Sequence, residues 1–166
     1  RVKPDFAEAH NNLGVAYGKL SMYKEELEAY KQAIRIKPDD AEAYVNLGVA
    51  YGRDLGMYRE GIETLKQAIR IKPDYAGAHT NLGVTYGKLG KYEEAIDALR
   101  QAIRIKPDDA KAHYNLGATY LLVNDRGSAL EEYKILKSLD PERANKLFNA
   151  IYNICTSPSL ADTPKG

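Results

Sequence analysis

The chain has 166 residues, 24 of them basic and 23 acidic, for a formal net charge of +1. That balance supplies no basic field of the kind that displaces counterions from a polyanion, so nucleic acid is set aside as a partner. No apolar run approaches the ~20 residues that span a bilayer, so no membrane segment is expected, and the single Cys155 has no internal disulfide partner.

Read from the amino end, Arg1–Phe6 match the endings of later units and are taken as the stump of a preceding repeat (1–6). Pro4, Pro38, Pro73, Pro107 and Pro141 follow at spacings of 34, 35, 34 and 34. Ile-Lys-Pro-Asp recurs at Ile36–Asp39, Ile71–Asp74 and Ile105–Asp108. Leu-Gly with a tyrosine three residues on recurs at Leu13-Gly14/Tyr17, Leu47-Gly48/Tyr51, Leu82-Gly83/Tyr86 and Leu116-Gly117/Tyr120. Self-similarity at this period marks stacked supersecondary units. Four units follow, at 7–40, 41–75, 76–109 and 110–140, with the extra residue of the second near Asp54 in its turn.

Each unit divides into two helices. Asp39-Asp40, Asp74 and Asp108-Asp109 are candidate N-caps of the first helix. His10, Leu13, Gly14 and Tyr17 stand at i, i+3, i+4 and i+7, a single helical face expected to be buried. A turn follows, clearest at Lys88-Leu89-Gly90-Lys91, and then the second helix. In the third unit that helix has acids early (Glu93, Glu94, Asp97) and bases late (Arg100, Arg104, Lys106), complementing its dipole. Past Asp140-Pro141 the pattern changes: Ala144, Leu147, Phe148, Ile151 and Tyr152 repeat at helical spacing. A solenoid needs its last apolar face covered, and 141–154 reads as that capping helix, expected to cover Leu121, Leu122 and Val123, which otherwise form an apolar pocket. Residues 155–166 read as an irregular tail.

The pattern His10-x-x-Leu13-Gly14-x-x-Tyr17, Ala95-x-x-x-Leu99, Ala102 and Pro107 resembles the tetratricopeptide repeat, over about residues 1–141. Glu26 and Gly61 depart from it where a small alanine is expected. The resemblance implies an all-α fold: a right-handed superhelical solenoid of helix-turn-helix repeats whose first helices line a concave groove.

Opposite the buried stripe lie Glu8, Asn12, Val15 and Lys19, with counterparts Glu42, Asn46, Val49, Arg53, then Gly77, Asn81, Val84, Lys88, then Lys111, Asn115, Ala118, Leu122. Stacked, they form a column of four asparagines, one of small apolar residues and one of three bases. Asparagine costs roughly 0.5 kcal/mol against alanine inside a helix. Its amide both donates and accepts, so it pairs with a peptide C=O and N–H together. Helices pack ~8–10 Å apart and extended chain advances ~3.3 Å per residue, so one rung meets about every third residue of a ligand. The column at Asn12, Asn46, Asn81 and Asn115 resembles the asparagine ladder in the tetratricopeptide region of O-linked N-acetylglucosamine transferase, whose catalytic domain has no counterpart here. The other reading has these amides satisfying groups on neighbouring helices. Lys19, Arg53 and Lys88 would favour an acidic partner, or are ordinary helix-end bases. Val15, Val49 and Val84 floor the groove, or pack between neighbouring first helices. The carboxylate clamp of chaperone-binding repeats expects a lysine and an asparagine where Asn11 and Val15 stand, which disfavours a chaperone C-terminus.

Chemistry finds no support. His10, His79 and His113 occupy one equivalent place a repeat apart, too far to share a metal at ~2 Å, and Tyr44 replaces them in the second unit. Gly14-x-x-x-Gly18-Lys19 and Gly83-x-x-x-Gly87-Lys88 are one residue short of a phosphate loop and lack its Ser/Thr, so their glycines are read as permitting close helix contact. No enzyme activity, cofactor or metal is expected. The expected function is a protein-interaction scaffold that binds an extended peptide. Two alternatives stand beside it: self-assembly, end to end or through the tail, and a recognition module of a larger enzyme.

Overall fold

A computed structural model describes residues 5–54 and 56–156, with side chains for 6–53 and 56–152. The tail from 157 and the stump before Asp5 lie outside the described residues. The helices are α1 (Asp5–Lys19), α2 (Tyr23–Ile36), α3 (Ala41–Asp54), α4 (Tyr58–Ile71), α5 (Ala76–Lys88), α6 (Tyr92–Ile105), α7 (Ala110–Leu122), α8 (Arg126–Leu139) and α9 (Pro141–Thr156). Among the described residues there is no strand. The last helix runs two residues past the expected 154, taking Cys155 and Thr156 out of the tail.

Aspartate caps and following prolines set several of the boundaries. Asp40 accepts the N–H groups of Glu42 and Ala43 at 3.1 and 3.3 Å, and Asp109 those of Lys111 and Ala112 at 3.0 and 3.2 Å. Asp74 does not cap: Tyr75 holds the N-cap of α5 and offers no side-chain bond. Second helices end where a proline follows. Lys37, Lys72 and Lys106 leave the helical region at φ of −133°, −133° and −134°, as a residue before proline prefers. Asp140 both closes α8, donating its N–H to the Leu136 carbonyl, and caps α9 by accepting the N–H of Arg143. That last bond holds the Asp140 carboxyl below the usual carboxylate range.

Each turn within a repeat has a left-handed residue among those described: Ser21 (φ 59°), Gly56 (61°), Gly90 (78°) and Asn124 (64°). The turn closes through Met22 N–H to Tyr17 O, repeated at Lys91 to Tyr86 and Asp125 to Tyr120. In the second repeat the same bond runs from Met57 to Tyr51, one residue wider, which places the extra residue between them. A side chain in the left-handed region costs ~1–2 kcal/mol, less for Asn. Ser21→Gly is therefore expected to raise the unfolding free energy by about 0.5–1 kcal/mol, read as a higher urea midpoint with an unchanged slope.

Within a repeat the two helices pack closely through a glycine. A Cβ on Gly48 would stand 2.7 Å from Leu65 Cγ, and one on Gly83 2.6 Å from Leu99 Cγ. Gly87, expected to serve the same purpose, faces open space. Between repeats, each second helix packs on the next first helix, and successive first helices touch (α1 on α3, α3 on α5, α5 on α7). Second helices make no such contact with one another among the described residues. The side on which neighbours meet is the inner radius, so the first helices line the concave face of a right-handed superhelix.

The helix α9 packs on α7 and α8 as α3 packs on α1 and α2. It places the fully buried Leu147 over Gly117 and closes a core of Leu99, Leu116, Tyr120, Leu136 and Ile151. It does not cover the end of α7 as expected: Leu121 is partly buried, but Leu122 is 60% exposed and Val123 is also exposed. The reason is direction, since Leu147 reaches the middle of α7 and not its last turn. At the other end, Leu13 of the expected buried stripe is 42% exposed, whereas its counterparts Leu47, Leu82 and Leu116 are buried. No described repeat precedes α1 to cover it.

Candidate peptide groove

On the concave face, Asn12 is exposed and Asn46, Asn81 and Asn115 are half-buried. They therefore border the groove and are not sealed in the core, yet three of them already have partners. Asn46 Nδ2 donates to Asn11 Oδ1 at 3.1 Å, satisfying a buried amide on the neighbouring inner helix. Lys111 Nζ donates to Asn81 Oδ1 at 3.1 Å across the next junction but one. Asn115 Nδ2 donates to the Lys111 carbonyl one turn back at 2.9 Å. No further bond is made by Asn46 Oδ1, Asn81 Nδ2 or Asn115 Oδ1 among the described residues.

The expected column of bases does not stand out into solvent as a row. Arg53 reaches back to α2, where its Nη2 donates to Glu26 at 3.0 and 3.2 Å. Lys88 places its ammonium 5.9 Å from the ring centre of Tyr58 on α4. Lys19 is exposed and has no hydrogen bond or ion pair among the described residues. In the apolar column Val15 is exposed, Val49 packs against the core of the second and third repeats, and Val84 and Ala118 are half-buried.

Glu26 is visible in the sequence only as a departure from alanine. The structure shows why it is tolerated: a carboxylate 3% exposed, held by an arginine 50% exposed. Arg53 lies 27 residues away, beyond any helical spacing that would pair them in advance. Around them Val15, Gly18, Lys19, Tyr30, Asn46 and Val49 line a hollow of about 320 Å³ that opens on the groove. A second hollow of about 350 Å³, on the side where inner helices start, is bordered by Glu8, Asn11, Asn12, Lys37, Asp40 and Glu42. Along that edge burial pushes the Tyr75 phenol up, and the charges of Glu42 and Asp40 push it further.

The histidines act in packing. His79 and His113 place Nε2 2.9 and 2.8 Å from the carbonyls of Pro73 and Pro107, tying each first helix to the preceding proline turn. His113 is buried and also sets Nδ1 2.6 Å from Glu132 Oε2 on α8, a pair with no sequence signal beyond a glutamate where earlier repeats have Ala29, Thr64 and Ala98. Among the described residues no three His, Cys, Asp or Glu side chains gather as a metal site, and no helix is long and apolar enough to cross a membrane.

The TPR repeat family model matches residues 23–54, 53–90 and 88–123. Among solved structures, MamA protein is 26% identical with a TM-score of 0.76, the match covering 91% of this chain and 83% of that one. A thermophilic TPR protein of Thermus thermophilus is 24% identical with a TM-score of 0.79, over 90% and 83%. The first TPR of Spaghetti (RPAP3), bound to the HSP90 peptide SRMEEVD, is 20% identical with a TM-score of 0.69, over 74% and 96%. No curated protein matches the chain. The TPR fold is typical of protein–protein interaction modules, and proteins built from it are generally scaffolds without catalytic activity.

Proposed function

Because the chain belongs to the TPR repeat family, we propose that it is an interaction scaffold that holds an extended peptide segment of a partner along its concave groove. One observation carries this reading: an asparagine recurs on every inner helix at the groove border, where it has no core to fill. Each amide keeps a donor or acceptor beyond its intrachain bonds, and an extended backbone supplies both complements. The intrachain bonds fix the side-chain rotamers, so less freedom is lost on binding. The solved TPR complex with an HSP90 peptide supports peptide holding by this fold. An acidic chaperone tail is not the segment proposed, because the clamp places hold Asn11, buried and bonded to Asn46, and Val15.

Asn12→Ala with Asn81→Ala tests the reading without opening the core, since Asn12 is exposed and Asn81 bonds only an exposed lysine. Peptides selected on the unmodified chain by phage display are expected to bind the double variant at least about tenfold more weakly, or ~1.4 kcal/mol. Equal affinity with an unchanged circular-dichroism spectrum would remove the amides from the site.

A second reading, self-association, is favoured by one feature of α1. Phe6, Ala9, Leu13, Ala16 and Leu20 are exposed and spaced 3, 4, 3 and 4, the seam of a pairing helix. Their counterparts Ala43, Leu47 and Ala50 are buried by the repeat before them. A preceding repeat would cover this seam in the same way, and so would a second copy supplying its own. Sedimentation at rising concentration is expected to show a dimer that Leu13→Glu with Leu20→Glu abolishes; a monomer throughout would leave only the peptide reading.

A further inference from the structure

We propose that the convex face carries a second docking surface: two equivalent hollows between consecutive outer helices that receive an amphipathic helix of a partner, one large apolar side chain in each. This surface faces away from the asparagines and does not depend on the groove reading.

Because second helices do not touch one another, the outward side of each inner helix is left as a floor between two of them. Ile69, Leu82, Tyr86 and Ala98 line such a hollow of about 430 Å³ between α4 and α6. Ile34, Leu47, Tyr51 and Thr64 line a hollow of about 400 Å³ between α2 and α4. Each residue of the first set stands 34 or 35 positions after its counterpart in the second, so the two hollows are one feature repeated. At the third junction the chain fills the same place itself. Arg100, where the others have Lys31 and Lys66, donates to the Tyr120 hydroxyl at 3.1 and 2.8 Å. Glu132, where they have Thr64 and Ala98, engages His113. Tyr120 and His113 are buried there, whereas Tyr51, Tyr86 and His79 are half-buried. The first two junctions thus keep an apolar floor open to water, and covering it is favourable.

Charge on the walls selects the occupant. In each hollow the bases stand on the preceding helix, Lys31 and Arg35, then Lys66 and Arg70. The acids stand on the following one, Glu63, then Glu94 and Asp97. Lys66 pairs with Glu63 and lies beside Tyr86, and Glu94 pairs with Lys91, but ion pairs this exposed leave their charges open to a partner. Lys31 stands 5.9 Å from the centre of the Tyr51 ring. Arg35, Arg70 and Asp97 make no hydrogen bond or ion pair among the described residues. A segment crossing the outer helices therefore meets base, floor and acid in that order, twice. Its complement is acid, apolar residue and base, repeated. Helices in contact stand ~8–10 Å apart, and the outer ones are not in contact, so the hollows lie at least about 10 Å apart. On a helix, residues i and i+7 share a face at a separation of ~10.5 Å. A helix also satisfies its own peptide groups, which matters where the walls are helices with none to spare.

The test is an NMR titration of the full chain with a blocked helical peptide, three copies of Glu-Ala-Ala-Leu-Ala-Ala-Lys, which carries that pattern at a heptad period. The peptide is expected to move the signals of Ile34, Tyr51, Ile69 and Tyr86 and to leave the side-chain amides of the four asparagines in place. Serine in place of its leucines should weaken binding at least about tenfold. Making every charged residue Glu, or every one Lys, should weaken it at least about threefold, since each then meets a wall of its own sign. Lys66→Arg with Ala98→Glu should close the hollow between α4 and α6 with the residue types that fill the third junction, His79 standing where His113 does. This variant is expected to keep its circular-dichroism spectrum, to lose the Ile69 and Tyr86 response and to bind at least about fivefold more weakly. Equal binding of the leucine and serine peptides would overturn the proposal, as would a uniform-charge peptide binding as tightly as the mixed one. A response confined to the asparagines, or none at either hollow, would overturn it too, as would an unchanged Ile69 response in the folded variant. Should the variant not fold, the leucine and serine peptides on the unmodified chain decide alone.

Discussion

Gly83→Ala is expected to lower the stability of the α5–α6 pair by about 1–3 kcal/mol, the usual range for overpacking a close interface. The new Cβ would stand 2.6 Å from Leu99 Cγ and 3.0 Å from the Ala95 carbonyl. Leu99 is fully buried and the carbonyl belongs to a helix, so neither neighbour can swing aside. Helices α5 and α6 would have to separate. Alanine's better helix propensity, worth up to ~1 kcal/mol, offsets only part of this. Gly87→Ala, one turn on in the same helix, should act in the opposite direction, because nothing lies within 4 Å of its Cβ. There the propensity gain stands alone at about 0.5–1 kcal/mol. Urea unfolding and hydrogen exchange within α5 and α6 measure both. Equal shifts of one sign would mean that the close approach at Gly83 does not govern the packing of this repeat.

Arg53→Ala should destabilise the junction of the first two repeats by about 2–4 kcal/mol, somewhat below a fully enclosed pair because the arginine is half exposed. The loss comes from Glu26, left 3% exposed without the guanidinium that compensates its charge. Glu26→Ala alone should cost less, since it removes the buried charge and leaves an arginine that can turn to solvent. The double variant should recover most of the Arg53→Ala loss, giving a coupling of at least ~1 kcal/mol in the four-way cycle. High salt should change the coupling little, because buried charges are poorly screened. If the two single losses simply add, the pair does not join the repeats.

The period and the spacing of Leu-Gly-x-x-Tyr made the repeat legible, because a residue that must face its partner helix recurs at one place in each unit. Caps were legible only where the chain geometry agreed. Asp40 and Asp109 stand directly before their helices, but Tyr75 displaces Asp74 by one residue and the capping bond is lost. Glycine spacing alone did not separate Gly83 from Gly87, since the difference lies in what the neighbouring helix presents to each. That the four asparagines stand outside the core followed from helical phase. Their bonding did not, because Asn46 to Asn11 and Lys111 to Asn81 connect residues about a repeat apart. The expected row of bases failed for the same reason: Arg53 and Lys88 turn to residues of the preceding repeat that no local pattern links to them. The exposure of Leu122 depended on where the last helix lands, which composition does not specify.

Contact between successive inner helices, without matching contact among outer ones, has a mechanical consequence. Such a stack bends like a book held at the spine. Fanning its outer edge would break no contact between second helices, but it would strain each second helix against the next first helix and, at the first junction, Arg53 against Glu26. Prising the inner edge apart would break Asn46 from Asn11 and Lys111 from Asn81. The bonds that join Asn46 to Asn11 and Lys111 to Asn81 therefore fix the spacing between repeats along the inner line.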